Sequence, residues 1–143
     1  MAVVEKSVLI ERTPAQMFNL VDRVEEYPQF LPWCGGVDLH ERSDTTTVAT
    51  LHINYHGLKA HFSTANAKES PTRMDMSLRD GPFKQMDGQW RFIPLGETAC
   101  KIGFRLHYEF SNRLLETALG PVFNHIANTF VESFVKRAES IYG

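Results

Sequence analysis

The sequence predicts an α+β fold: a curved antiparallel sheet of about seven strands wrapped around one long C-terminal helix. Between Thr47 and Phe110 apolar and polar residues alternate with period two, broken by short turn sequences. That alternation marks antiparallel strands with one wet face. From Leu115 to Ile141 the apolar residues recur every three or four positions instead, the spacing of one helix face. The length, 143 residues with 43% hydrophobic and 22% charged, puts both parts in a single domain with a real core.

The elements follow in order. Ala2 to Ile10 alternates and reads as a strand. Thr13-Pro14 opens a helix, with Thr13 as N-cap, Pro14 at the first helical position and Gln16 near the capping-box position. Met17, Phe18, Leu20, Val21 and Val24 continue it at helical spacing. From Gly36 the period changes to two. In Thr47 to Tyr55, Ala49, Leu51, Ile53 and Tyr55 share one face, and Thr50, His52 and Asn54 the other. His56-Gly57 makes a two-residue turn that pairs Tyr55 with Leu58, Ile53 with Ala60 and Leu51 with Phe62, with His52 opposite His61.

Three more strands follow. Arg73 to Asp80 carries Met74, Met76 and Leu78 on one face, and Gln85 to Ile93 carries Met86, Trp90 and Phe92. Cys100 to Phe110 turns Cys100, Ile102, Phe104, Leu106, Tyr108 and Phe110 inward and Lys101, Arg105, His107 and Glu109 outward. Ser70-Pro71, Asp80-Gly81-Pro82 and Pro94-Leu95-Gly96 supply the turns. Ser111 or Asn112 caps the last helix, which runs toward Tyr142 for about 45 Å at ~1.5 Å per residue. Its stripe is Leu115, Leu119, Val122, Ile126, Phe130, Phe134, Ala138 and Ile141, widened by Phe123, Ala127 and Val131. Pro121 cannot donate to the Thr117 carbonyl, so a kink or two abutting helices is expected there.

One string fits neither period. Tyr27-Pro28-Gln29-Phe30-Leu31-Pro32-Trp33-Cys34 combines four large apolar side chains with two prolines. Each proline biases the residue before it away from helix, so Tyr27 and Leu31 are expected in extended or turn backbone. Such a segment either plugs one end of the core or forms the lid of an apolar site.

Composition excludes several classes. A net charge of −2 gives no global attraction to phosphate backbones. Lys84 and Arg91, with Arg73, Arg79, Lys101 and Arg105, make at most a mild basic face, interleaved by Asp75, Asp87 and Glu109. Cys34 and Cys100 suit packed, reduced thiols, not a disulfide framework. The N-terminal alternation lacks a signal-peptide apolar run, and no stretch of roughly 18 apolar residues occurs. A cytoplasmic protein is expected, with contact at the inner membrane face as a further role. His52 and His61 lack an evident third metal ligand, and Cys34 with His125 lacks a third catalytic partner. Asp80 and Asp87 fall at turns, and there is no phosphate-binding glycine loop.

The order of elements, together with four motifs, resembles the START-like, helix-grip superfamily, whose layout places two short helices after the first strand. The motifs are Tyr27 to Cys34, Asp80-Gly81-Pro82-Phe83-Lys84, Gly88-Gln89-Trp90-Arg91-Phe92, and Tyr108 to Glu116. Within it the chain is similar to the coenzyme-Q-binding proteins and their bacterial relatives, including the ribosome association toxin. Mitochondrial members carry a leading transit segment, and a chain without one is expected to be bacterial.

The resemblance implies ubiquinone or a similar polyprenyl lipid as bound ligand, held between sheet and terminal helix, with no catalytic cofactor required. Inward residues Leu51, Ile53, Phe62, Met74, Met76, Leu78, Trp90, Phe104 and Leu106, with Phe123, Ile126, Phe130 and Phe134 of the helix, would line the cavity. Tyr55 or Tyr108 would donate to a quinone carbonyl. Phe30, Leu31 and Trp33 would dip into the bilayer edge. Three functional readings follow: a monomeric, non-enzymatic quinone carrier serving respiration; a toxin that binds the large ribosomal subunit through Lys84, Arg91 and Arg105 and blocks subunit joining; and a polyketide cyclase or aromatase.

Overall fold

The structure, a computed structural model, describes residues 2–143; Met1 lies outside the described residues. Strand β1 (Ala2–Ile10) is followed by helix α1 (Pro14–Asp22) and a 3₁₀ helix (Val24–Gln29). Strands β2 (Cys34–Arg42), β3 (Thr46–Tyr55), β4 (Leu58–Glu69), β5 (Arg73–Asp80), β6 (Phe83–Leu95) and β7 (Ala99–Phe110) precede helix α2 (Arg113–Tyr142). The strands form one seven-stranded sheet in the order β1-β7-β6-β5-β4-β3-β2. All six pairings are antiparallel, so the expected sheet and long terminal helix are both present.

Local chemistry explains the boundaries. Thr13 and Gln16 form a capping box, with Gln16 N on Thr13 Oγ1 at 3.2 Å and Thr13 N on Gln16 Oε1 at 2.8 Å. Asn112, not Ser111, caps α2, its Oδ1 accepting from Leu115 N at 2.9 Å. The β3–β4 hairpin turns on His56 (φ 51°) and Gly57 (φ 81°), the left-handed pair that a two-residue type I′ turn demands. Its register sets Tyr55 against Leu58, Ile53 against Ala60, Leu51 against Phe62 and His52 against His61, as the alternation predicts.

Five expectations are corrected. Tyr27, expected in extended or turn backbone, lies inside the 3₁₀ helix, and Val24 begins that helix, beyond the end of α1. Two tight turns meet there: Glu26 N bonds Arg23 O at 3.0 Å, and the Tyr27 carbonyl accepts from Phe30 N at 3.2 Å and Leu31 N at 2.9 Å. Pro28 therefore opens the second turn, where a missing N–H costs little. Pro94 and Leu95 belong to β6, not to a turn. Phe92 N points toward β5, bonding Thr72 O at 2.8 Å. Pro94 turns its nitrogen the same way, beyond Arg73 where β5 begins, so no ladder bond is lost.

Helix α2 runs through Pro121 as one element, not two. Thr117 and Pro121 both lie on the exposed side, where water can take the freed carbonyl. Ile141, assigned to the apolar stripe, is 44% exposed because the stripe outruns the sheet beneath it. The buried part of α2 is Phe123, Ile126, Ala127, Phe130, Val131, Phe134 and Ala138. These residues close the concave face of the sheet.

Candidate functional site

The curvature that lets the sheet hold α2 leaves a cavity of about 50 Å³ between them. Its floor comes from inward residues of successive strands: Ala49 and Leu51 of β3, Phe62, Thr64 and Asn66 of β4, Met76 of β5, Met86 and Gly88 of β6, and Phe104 and Leu106 of β7. Phe123, Ile126, Ala127 and Phe130 of α2 form the roof, and Val24, Tyr27 and Trp33 close one end. Gly88 shapes the floor. A Cβ built there would lie 2.4 Å from Met76 Cε and 3.2 Å from Leu106 Cδ1, so a side chain at this position would push the end of Met76 off the sheet.

The wall is apolar with few polar atoms. Thr64 Oγ1 donates to Asn66 Oδ1 at 3.0 Å. The Tyr27 hydroxyl donates to the Val21 carbonyl. Burial, aided by the nearby Asp22 charge, pushes its phenol far above the ordinary tyrosine value, so it stays neutral. A smaller chamber adjoins on the side of the β3–β4 hairpin, among Ile53, Leu58, Ala60, Pro82, Leu119 and Val122. Phe62 and Phe123 border both spaces, with ring centroids 5.9 Å apart.

The structure separates the sequence-predicted residues into three groups. Trp33, Leu51, Phe62, Met76, Phe104, Leu106, Phe123, Ile126 and Phe130 line the cavity, and Ile53 lines the side chamber. Met74, Trp90 and Phe134 are instead solid core, each 0% exposed. Trp90 is held among Phe104 at 4.7 Å, Phe134 at 5.4 Å, Phe130 at 5.7 Å and Phe92 at 5.8 Å, which leaves no face for a ligand. Leu78 is half-buried and away from the wall. Neither tyrosine assigned to a quinone carbonyl borders the main cavity. Tyr55 stacks on His125 at 5.7 Å, and Tyr108 donates to Asn124 Oδ1 at 3.5 Å, its own phenol raised by burial.

The proline-bracketed aromatics point inward. Leu31 and Trp33 are 1% and 3% exposed. Phe30 packs on Phe134 at 5.2 Å and Tyr27 at 6.0 Å, with the Arg137 guanidinium 5.0 Å from its ring. The segment is a plug here, and its side chains are spent on the core, not presented to a bilayer. On the outward face of the sheet, three of the cations stand beside carboxylates. Arg91 pairs with Asp75 at 2.8 Å, Arg105 with Glu5 at 3.0 Å and Lys84 with Glu109 at 3.7 Å, so each cation meets a carboxylate. His52 bonds Asp38 at 2.7 Å, and the buried Cys34 thiol, raised by desolvation, donates to Gly36 O at 3.6 Å.

Sequence reasoning missed Val24, Tyr27, Ala49, Thr64, Asn66, Met86, Gly88 and Ala127 as lining residues. Extending the inward phase of Phe62 along β4 would have found Thr64 and Asn66, which their polarity disguised. Gly88 carried no signal of its own; only the facing Met76 reveals its role.

Similarity to known proteins agrees with this architecture. Residues 10–135 match the family described as polyketide cyclase / dehydrase and lipid transport. The chain is 41% identical over its whole length to the ribosome association toxin RatA of Vibrio cholerae, covering 99% of that protein. It is 25% identical over 90% of its length to the coenzyme Q-binding protein COQ10 homolog B of Xenopus laevis, covering 54% of that protein. A START superfamily protein from Mycobacterium smegmatis superposes with a TM-score of 0.76 at 19% identity, over 97% of this chain and 98% of that one. Among the described residues no helix is long and apolar enough to cross a membrane. With a helix-grip, START-like fold and a family match that spans nearly all of its length, the chain belongs to the polyketide cyclase / dehydrase and lipid transport family.

Proposed function

We propose that this protein is a non-enzymatic binding protein that takes the head of a ubiquinone-type polyprenyl lipid into the cavity between sheet and α2. The observation that carries the reading is an apolar space whose wall holds one buried polar pair, Thr64 and Asn66. An apolar lining with a few placed polar groups is the general form of a small-molecule site. Among the described lining residues Tyr27 alone is titratable, and it is locked neutral, which favours binding over the acid–base chemistry of a cyclase.

The space holds a few waters, against the ~300–1,000 Å³ of typical ligand sites. Binding therefore has to widen it. Met76 and Met86 are unbranched and suit a wall that adjusts. The side chamber behind Phe62 and Phe123 gives a tail its direction of exit. Each isoprenoid unit buried there contributes about 3 kcal/mol at ~0.8 kcal/mol per CH₂.

A second reading, association with the large ribosomal subunit as a toxin that blocks subunit joining, is favoured by full-length similarity to a protein of that name. The two are compatible in one monomeric chain working in the cytoplasm and at the inner membrane face. Lipid extraction and mass spectrometry of protein isolated from its own host tests both. Co-purified quinone supports the first reading. A lipid-free protein that sediments with large subunits at low salt overturns it in favour of the second.

A further inference from the structure

The inner face of β4 changes character along its length, from Leu58, Ala60 and Phe62 to Thr64, Asn66 and Lys68. Two of the three polar groups are satisfied within the protein. The Lys68 ammonium sits 3.1 Å from Asp22 Oδ2, and the Thr64 hydroxyl is donated to Asn66 Oδ1 at 3.0 Å. Asn66, only 4% exposed, lies on the cavity wall. The Thr64 hydrogen bond turns the Asn66 carbonyl oxygen toward β4 itself. Its amide N–H groups have no partner among the described residues.

The neighbouring strands do not supply one. Asn66 is flanked in register by Thr47 of β3 and Met76 of β5. The Thr47 hydroxyl is already committed to Asp22 Oδ1 at 2.9 Å, and a thioether is a weak acceptor. Leu106, Gly88 and Phe104 on the rest of the floor offer no side-chain acceptor. A donor that faces the cavity can be met by water while the cavity is empty, and a ligand that displaces that water has to bring an acceptor atom in its place.

We infer that Asn66 Nδ2 is the recognition donor for a carbonyl oxygen of the bound molecule, which makes the site selective for a ketone-like or quinone-like head over a hydrocarbon of the same shape. Thr64 is its positioning residue. This rests on the ligand-binding reading above and adds to it the group that the ligand must carry.

The test uses two rings of nearly equal shape, cyclopentanone and methylenecyclopentane, which differ in C=O against C=CH₂. Each is titrated into the full chain while the ¹⁵N side-chain amide of Asn66 is followed by NMR. The ketone is expected to bind roughly tenfold tighter, the scale of one neutral hydrogen bond, and to move the Asn66 amide signals. Asn66→Leu is expected to abolish that preference while still admitting methylenecyclopentane. Equal affinities in the native chain, with an unmoved Asn66 amide, overturn the inference and leave the binding reading standing. If neither ring binds, both fall together.

Discussion

The polar cluster that ties α1 to the sheet gives the sharpest energetic prediction. Lys68 Nζ, on a side chain 4% exposed, lies 3.1 Å from Asp22 Oδ2. Asp22 Oδ1 accepts from Thr47 Oγ1 at 2.9 Å. Replacing Asp22 with Ala strands a buried ammonium, and removing one partner of a buried pair costs about 3–5 kcal/mol. For a chain of this size that corresponds to a fall in Tm of roughly 10–15 °C. Lys68→Met leaves a carboxylate that keeps Thr47 and is 18% exposed, so its cost is expected near 1–2 kcal/mol.

The double variant Asp22→Ala/Lys68→Met buries no lone charge and is expected to be more stable than Asp22→Ala alone. Urea unfolding of the four proteins measures the cycle. A loss below about 1 kcal/mol for Asp22→Ala, or a double variant whose loss equals the sum of the singles, refutes this reasoning. The consequence reaches the cavity, because Asp22 anchors the turn that presents Val24 and Tyr27 to its closed end.

Three smaller predictions follow from the same structure. Tyr27→Phe strips the buried Val21 carbonyl of its donor, and chemical denaturation should register a loss of about 1–2 kcal/mol. Arg42 hydrogen-bonds the Glu25 carboxylate and holds it below the ordinary 4.5. The stability from this pair is present above about pH 4.5 and is lost as pH falls through the depressed folded value. Arg42→Gln should therefore flatten that part of the acid limb in urea midpoints taken from about pH 6 to pH 3; an unchanged slope assigns the limb to other carboxylates. Gly57 has φ +81° and open space around it, so Gly57→Ala should cost about 1 kcal/mol through backbone strain alone, read by thermal melting.

Much of the fold was legible because period and turn chemistry agreed. His56-Gly57 set the hairpin, and the apolar partners on either side admitted only one register. Thr13-Pro14 announced α1 through the same hydrogen bonds that the structure contains. What remained hidden depended on distance in space. Whether Pro121 breaks a helix depends on which side of α2 faces water. Whether Pro94 ends a strand depends on where its neighbour β5 begins.

The candidate site was legible as a face and not as a wall. Period two placed Trp90, Phe104 and Leu106 on the same side of the sheet, but only packing separates Trp90 in the solid core from the two that border space. Asn66 was passed over because a polar residue in an alternating strand reads as solvent-facing, whereas here it keeps the inward phase of Phe62. Ion pairing on the outward face likewise depends on neighbours in space. Outward phase identifies Arg91 and Arg105, while their carboxylate partners come from neighbouring strands across the register.

The central claim is that the space between sheet and α2 is where a quinone-type head binds. Trp33 lines that space and reports on it by fluorescence. Titrating a short-chain ubiquinone into the native chain and into Gly88→Leu and Ala49→Leu, two variants built to fill the floor from different strands, tests it directly. Saturable quenching in the native chain, weakened at least roughly tenfold in both variants while their thermal melts stay cooperative, is the predicted result. Equal affinity in all three proteins would place the ligand elsewhere and contradict the account.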